Sequence, residues 1–271
     1  MIYKISRWFS LAVFTLLIIV PTTIVFFGTF KTDLEIYDSP MALPLNWTLD
    51  NYRRLLDDGE ILTNFKNSVF VTSLSVLITL VLASMASFAI ARMMNVTGKV
   101  LFVLFSLGLA IPGQVNIIPI YLLFNDLGLT NTYHGLIAVN VVATLPISVF
   151  ILTSFFREIP SEMYEVASID GATHFKVYRA IALPLSKPAL GATSIFLFVI
   201  CWNDLLFPLL LITESAKKTL PLALLDYRGE YATSFSMIFT AVLVASIPMV
   251  IMYLAMQKSF VAGLTAGAVK G

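Results

Sequence analysis

The sequence predicts an all-α polytopic membrane protein with six transmembrane helices, and three observations carry that prediction. Of 271 residues, 58% are hydrophobic and 12% charged, with a mean hydropathy of +0.90, far from the roughly 25% charged of soluble domains. The charges fall so as to leave long apolar windows, each at or above the ~20 residues that cross a bilayer. Within them, runs such as 76–83 are apolar on all sides. Barrel strands alternate instead, whereas a helix satisfies its own backbone groups in lipid. A single cysteine excludes a disulfide scaffold, and a net charge of +1 leaves no footprint for nucleic acid.

In chain order the spans are expected at 8–30, 67–91, 100–125, 134–156, 188–213 and 231–257. The first follows Lys4 and Arg7 as a signal peptide would, but its apolar stretch is too long and no small-x-small cleavage site follows, so it reads as a retained helix. Segment 31–66 is acidic, and its stretch 43–52 contains a turn leading into a short amphipathic helix; it reads as an extracytoplasmic cap. Six spans place both ends on one side. That side collects Lys4, Arg7, Arg92, Lys99, Arg157, Lys176, Arg179, Lys187, Lys258 and Lys270, ten against seven opposite, which favours cytoplasmic termini.

The inner segment 157–187 has the most pronounced local signals. Pro160 stops the fourth span, Ser161 is a good N-cap, and Glu162 and Glu165 stand where a helix dipole favours negative charge. Met163, Val166 and Ala167 share a face by i, i+3, i+4 spacing, and Gly171 is placed to end the helix in a left-handed turn. A second short helix is expected from Thr173, carrying Phe175, Tyr178 and Ile181 until Pro184 breaks it. This compact pair of helices reads either as a solvated loop or as a docking knob for another protein, with Ala167 admitting a close partner backbone.

Inside the spans, Asp204 is the one acidic or basic side chain. It reads either as a polar wall of a solute path, with Asn203 beside it and Trp202 offering a flat face to a sugar ring, or as a helix–helix hydrogen bond. Gln114 and Asn116, among Pro112, Gly113 and Pro119, predict an interrupted helix beside the path, since loosened backbone is tolerated only when buried in protein or facing water. No enzyme signature is expected. Gly98-Lys99 has Met93 where a phosphate loop needs its first glycine. His134, His174 and Cys201 are isolated and read as structural, and no metal-ligand spacing appears.

Glu165-Val166-Ala167-Ser168-Ile169-Asp170-Gly171-Ala172, followed by Ile181-Ala182-Leu183-Pro184, resembles the EAA loop of bacterial ABC importer permeases, with Val166 for the middle alanine. Trp202-Asn203-Asp204, the stretch 127–133 and the tail 257–271 are similar to carbohydrate-importer permeases of the smaller maltose-permease-subunit type. The resemblance implies the type I importer permease (MetI-like) fold. It makes Glu165, Val166, Ala167, Asp170, Gly171 and Ala172 an ATPase-coupling helix and places the cytoplasmic tail, with Gly267, Lys270 and Gly271, against the ATPase dimer. Gly263, Gly267 and Gly271 suit an extended or turning tail.

The implied partners are a second homologous permease, an ATPase homodimer, an extracytoplasmic solute-binding protein, a sugar substrate and the lipid bilayer of the bacterial inner membrane. ATP and Mg belong to the partner ATPase, and no cofactor is expected in this chain. Members of this family carry di- and oligosaccharides, polyols, uronic acid oligomers or glycerol phosphates, and the resemblance implies a di- or oligosaccharide first. The lack of lysine and arginine in the windows disfavours a strongly anionic solute. An ion-gradient-driven secondary transporter is the remote alternative, and it has no use for the inner helix pair.

Overall fold

The structure, a computed structural model, describes residues 2–57, 59–93, 95–227 and 234–268, with no strand among them. The helices are α1 (Ile2–Gly28), α2 (Asp33–Asp38), α3 (Asp50–Asp57), α4 (Glu60–Arg92), α5 (Val96–Leu107), α6 (Ile117–Asp126), α7 (Tyr133–Glu158), α8 (Ser161–Ile169), α9 (His174–Val177), α10 (Leu183–Leu185), α11 (Lys187–Trp202), α12 (Leu206–Leu211), α13 (Leu220–Ala223) and α14 (Phe235–Ala268). Four helices are long and apolar enough to cross a membrane, and up to six spans result if each of two sharply bent pairs counts as one. The chain forms two compact units, Met1–Phe65 with Leu220–Pro248 and Lys66–Thr219 with Met249–Gly271.

In the first unit the segment after α1 is tied down by polar groups. Lys31, fully buried, donates from Nζ to the Ser39 carbonyl at 2.8 Å, just past the end of α2, where a helix dipole favours a cation. Asn51 donates from Nδ2 to the Thr29 and Lys31 carbonyls at 2.9 and 2.8 Å, which fastens α3 beside the end of α1. The Phe30 ring packs against Trp47 and Tyr52. The short amphipathic helix predicted for this segment is α3.

In the second unit the core gathers Ala83, Phe88, Val149, Leu152, Phe156, Tyr164, Tyr178 and Ala182 from α4, α7, α8 and the π turn that follows α9. Small hydroxyls bridge the long helices: Thr79 Oγ1 lies 3.1 Å from Thr144 Oγ1, and Ser87 donates to the Val149 carbonyl at 3.2 Å. This is the close polar packing expected between helices in lipid.

Two predicted spans are broken. In window 100–125, α5 ends in a 3-10 turn, Ile111 and Pro112 are extended, and a second 3-10 turn, Gly113–Asn116, leads into α6. The two segments meet at 85°. Pro112 lacks an N–H and pushes Ile111 out of the helical region, so the predicted interruption at Gln114 and Asn116 is present. Window 188–213, expected to be a single helix, is not one. α11 stops at Trp202, and α12 begins only at Leu206. Asp204 causes the break, because its Oδ1 accepts from the Leu206 and Phe207 backbone N–H groups at 3.1 and 3.3 Å, competing with the helix as capping carboxylates do.

The tail also departs from expectation, since the backbone at Gly263 and Gly267 belongs to α14 instead of an extended segment. Helical hydrogen bonding outweighs the ~1 kcal/mol that each glycine costs a helix. Lys270 and Gly271 lie outside the described residues.

Candidate coupling and pathway sites

The knob reverses its chain where the sequence directs, but Ser161 does not cap it: Pro160 stands at the N-cap of α8, with no side-chain cap, and Ser161 is the first helical residue. α8 closes in a Schellman motif: the Ala172 N–H reaches the Ala167 carbonyl at 3.0 Å, and the Gly171 N–H reaches Ser168 at 3.1 Å. Gly171 takes φ +72°, a conformation that only a residue without Cβ adopts at no cost. Thr173 then caps α9, its Oγ1 accepting from Lys176 N at 3.3 Å.

Beyond α9 the expectation changes in two ways. Residues Tyr178–Ala182 form a π turn, with the Leu183 N–H donating to the Tyr178 carbonyl. The wider turn accommodates Pro184, which offers no N–H and would crowd the carbonyl four residues back. Pro184 therefore does not end the run. The break falls at Ser186, where His174–Leu185 and Lys187–Trp202 meet at 76°, because the Pro188 ring would collide with the Pro184 carbonyl in an unbroken helix. The π turn also rotates the face, so that Phe175 is exposed, Ile181 half-buried and Tyr178 buried.

The knob has two sides. Inward, Tyr164 is 2% exposed and packs near Phe88 with ring centroids 6.0 Å apart, while Phe88 lies 5.4 Å from Tyr178 and 6.1 Å from Phe156. Tyr178 Oη and Ser84 Oγ are 2.7 Å apart. Burial raises the Tyr164 pKa, partly opposed by Arg92, whose guanidinium sits 4.3 Å above the ring. Outward, α8 shows Met163, Val166 and Ile169, the last 85% exposed. Glu165 and Asp170 are exposed beside them. Ala167 is not on this face: together with Ala172 it is half-buried against the chain's own core. The exposed crest is therefore i, i+3, i+6, one step away from the predicted face.

At the opposite end of α7, polar groups do the holding. Gly128 and Asn131 both take left-handed φ, +67° and +57°, and Thr132 caps α7. Asn131 donates from its backbone N–H to the Leu211 carbonyl and from Nδ2 to Glu214 Oε1, both at 2.6 Å, and its Oδ1 accepts from Thr213 and Glu214 N–H groups. Asn67 donates to the Ala216 and Lys218 carbonyls at 2.9 Å and accepts from Tyr133 Oη at 2.8 Å. Lys217, 3.0 Å away, and then Asn131 hold the exposed Glu214 carboxyl below its ordinary pKa.

Residues 79–265 match the family of binding-protein-dependent transport system inner membrane components. The chain belongs to this family. It is 38% identical over 273 residues, covering 100% of this chain and 99% of the relative, to a putative ABC transporter permease protein of Caldicellulosiruptor sp.. It is 36% identical over 247 residues, 90% of this chain and 88% of the relative, to the trehalose/maltose transport system permease MalG of Thermococcus litoralis. The fold matches a solved bacterial ABC transporter involved in import of the acidic polysaccharide alginate, with a TM-score of 0.85, 21% identity and 96% of each chain covered.

In this transport component the remaining predicted residues are placed as follows. Trp202 is 2% exposed and stacked on Phe198, with centroids 5.5 Å apart, so it presents no face to a solute. Asn203 is exposed but donates to the Val199 carbonyl at 2.8 Å. Asp204 uses Oδ1 as a cap, while its buried Oδ2 has no partner among the described residues. Gln114 is exposed and Asn116 half-buried at the bend of the third window. The sequence reading missed the roles of Asn67, Tyr133 and Glu214. A signal was available at Asn131, a residue type that tolerates a left-handed turn, directly before an N-capping Thr132.

Proposed function

We propose that this permease is one of two homologous membrane subunits of an ATP-driven importer that moves a di- or oligosaccharide, delivered by an extracytoplasmic solute-binding protein, across the inner membrane. The observation that carries this reading is the two-sided knob. Its outward crest of Met163, Val166 and Ile169 is an exposed apolar face that no described residue covers, and its inward face is fixed by aromatic packing to α4 and α7. A push on the crest is carried into long helices, because a close-packed base transmits displacement. The names of the relatives support sugar as the cargo.

In this reading the coupling residues are Glu165, Val166, Asp170 and Gly171, with Ala167 and Ala172 shaping the turn behind them. An ATPase homodimer binds ATP and Mg, no cofactor resides in this chain, both termini are cytoplasmic, and Gly267, Lys270 and Gly271 meet the ATPase dimer. Asp204, whose buried Oδ2 has no partner among the described residues, stands on the path in this reading, with the buried Trp202, Asn203, Gln114 and Asn116.

Reconstitution with the partner subunits into liposomes tests this. Uptake of labelled disaccharides is expected to require ATP and to survive an ionophore. Uptake that outlasts ATP depletion and collapses with the ionophore would overturn the ATP-driven reading, and selective uptake of a polyol, uronic acid oligomer or glycerol phosphate would overturn the sugar assignment.

A further inference from the structure

Beside the knob, within the same unit, a cavity of about 1060 Å³ opens between the end of α4, the start of α5, the end of α7 and the start of α8. Three cations line it. Arg92 ends α4, Lys99 lies in the first turn of α5, and Arg157 lies in the last turn of α7. Two of them are posed by rings, Arg92 at 4.3 Å over Tyr164 and Arg157 at 4.6 Å over Phe102. Among the described residues none of the three is in an ion pair, although Glu158 and Glu162 stand on the same wall.

The rest of the lining changes character along α5. Phe102 and Val103 line the same cavity, about one helical turn, roughly 5 Å, further into the span than Lys99. The cavity thus has a cationic mouth at the helix ends and an apolar wall running into the bilayer. A soluble anion would find that wall useless, and a neutral lipid would leave the cations unmatched. We propose that this cleft binds an anionic phospholipid, its phosphate held by Arg92, Lys99 and Arg157 and an acyl chain lying along Phe102 and Val103. The cation–π contacts hold the guanidinium groups in place before the phosphate arrives, which reduces the ordering cost of binding. Because Ser161 and Glu162 form part of the rim, an occupied cleft bears directly on the start of the coupling helix. The site does not depend on which solute is carried.

The test uses the complete transporter purified with its partner subunits, exchanged into detergent containing dioleoyl phosphatidylglycerol, dioleoyl phosphatidylethanolamine or inorganic phosphate, and read by native mass spectrometry. Phosphatidylglycerol is expected to be retained in preference to phosphatidylethanolamine on the unmodified protein, and inorganic phosphate is not expected to displace it. The pair Lys99→Gln with Arg157→Gln should weaken retention about 25-fold, at about fivefold per cation, while Lys99→Arg and the distant Arg7→Gln should leave it unchanged. Equal retention of the two lipids by the unmodified protein, a comparison that needs no variant to fold, overturns the proposal. So does displacement by inorganic phosphate, or undiminished retention in the double variant. Loss of the ATPase from the double variant with lipid retention intact would assign the cleft to the ATPase dock and also overturn it.

Discussion

The knob and the polar clamp at the opposite end of α7 both hold a non-spanning segment against helix ends of the same unit, and they do so by opposite means. The knob rests on Tyr164, Phe88, Phe156 and Tyr178, with the Ser84–Tyr178 contact as its side-chain hydrogen bond to α4. The clamp is almost wholly polar: Asn67, Asn131 and Tyr133 engage backbone groups between Leu211 and Lys218. Apolar contact is non-directional, so a packed base is held by the fit of its side chains and by no particular bond. Hydrogen bonds to carbonyls have narrow angular tolerance and fix one register. The knob thus stands on apolar packing, and the segment 211–218 is held by directed bonds.

The largest expected effect comes from removing the middle of the aromatic base. Phe88→Ala should cost about 3–5 kcal/mol, as buried phenylalanine truncations do, and should lower the thermal midpoint in detergent while loosening amide protection across residues 161–185. If the knob stayed protected, its seat would not be the aromatic cluster, and the contrast with the clamp would fail.

Asn67→Ala tests the other side. It removes two donated bonds and one accepted bond, each contributing about 0.5–1.5 kcal/mol net, so about 1.5–4.5 kcal/mol should be lost. Hydrogen exchange should quicken at 212–219 and leave 161–185 unchanged. Spread of the effect to the knob would show that the two regions are one cooperative element.

A smaller and more local effect is expected at Gly171. A valine there would adopt φ +72° at a cost of about 1–2 kcal/mol and would disturb the Ala172–Ala167 bond. The protein should still fold, yet co-purification of the ATPase should fall at least fivefold. Retained association with Gly171→Val, and equally with Gly171→Pro, would remove the coupling role from this turn.

Most of the membrane architecture was legible because charges are expensive in lipid, and their gaps mark the spans. The knob's capped second helix and its left-handed glycine were legible because caps and turns are local, whereas the expected Ser161 cap is absent because the helix already includes Ser161 and begins behind Pro160. Three other things were not legible. The π turn depends on Pro184 and Pro188 acting together across four residues. The inward turn of Ala167 depends on which side of α8 meets Phe88, a tertiary fact. The burial of Trp202 depends on Phe198 one turn earlier, and a tryptophan beside an acid reads equally well as an exposed platform. Asp204 was singled out as a wall of the path or a helix–helix contact, and what the structure shows instead is a carboxylate that breaks the span, which a count of charges does not convey.

The smallest effect is the most selective probe of the clamp. Lys217, and then Asn131, hold the Glu214 carboxyl below its ordinary value. A depressed carboxylate pKa stabilises the folded arrangement at pH values above the unfolded pKa of about 4.3, and that contribution is lost as pH falls through the lower, folded value. Glu214 is fully exposed to solvent, so salt screens the interaction and the change should be slight. Amide exchange at Thr213 and Glu214, corrected for its intrinsic pH dependence, should therefore quicken modestly in acid, more at low than at high ionic strength. Glu214→Gln should abolish that dependence while keeping the Asn131 Oδ1 contacts with Thr213 and Glu214 N–H groups. An unchanged acid response in the variant would place the titrating group elsewhere and leave the clamp dependent on Asn67 and Asn131 alone.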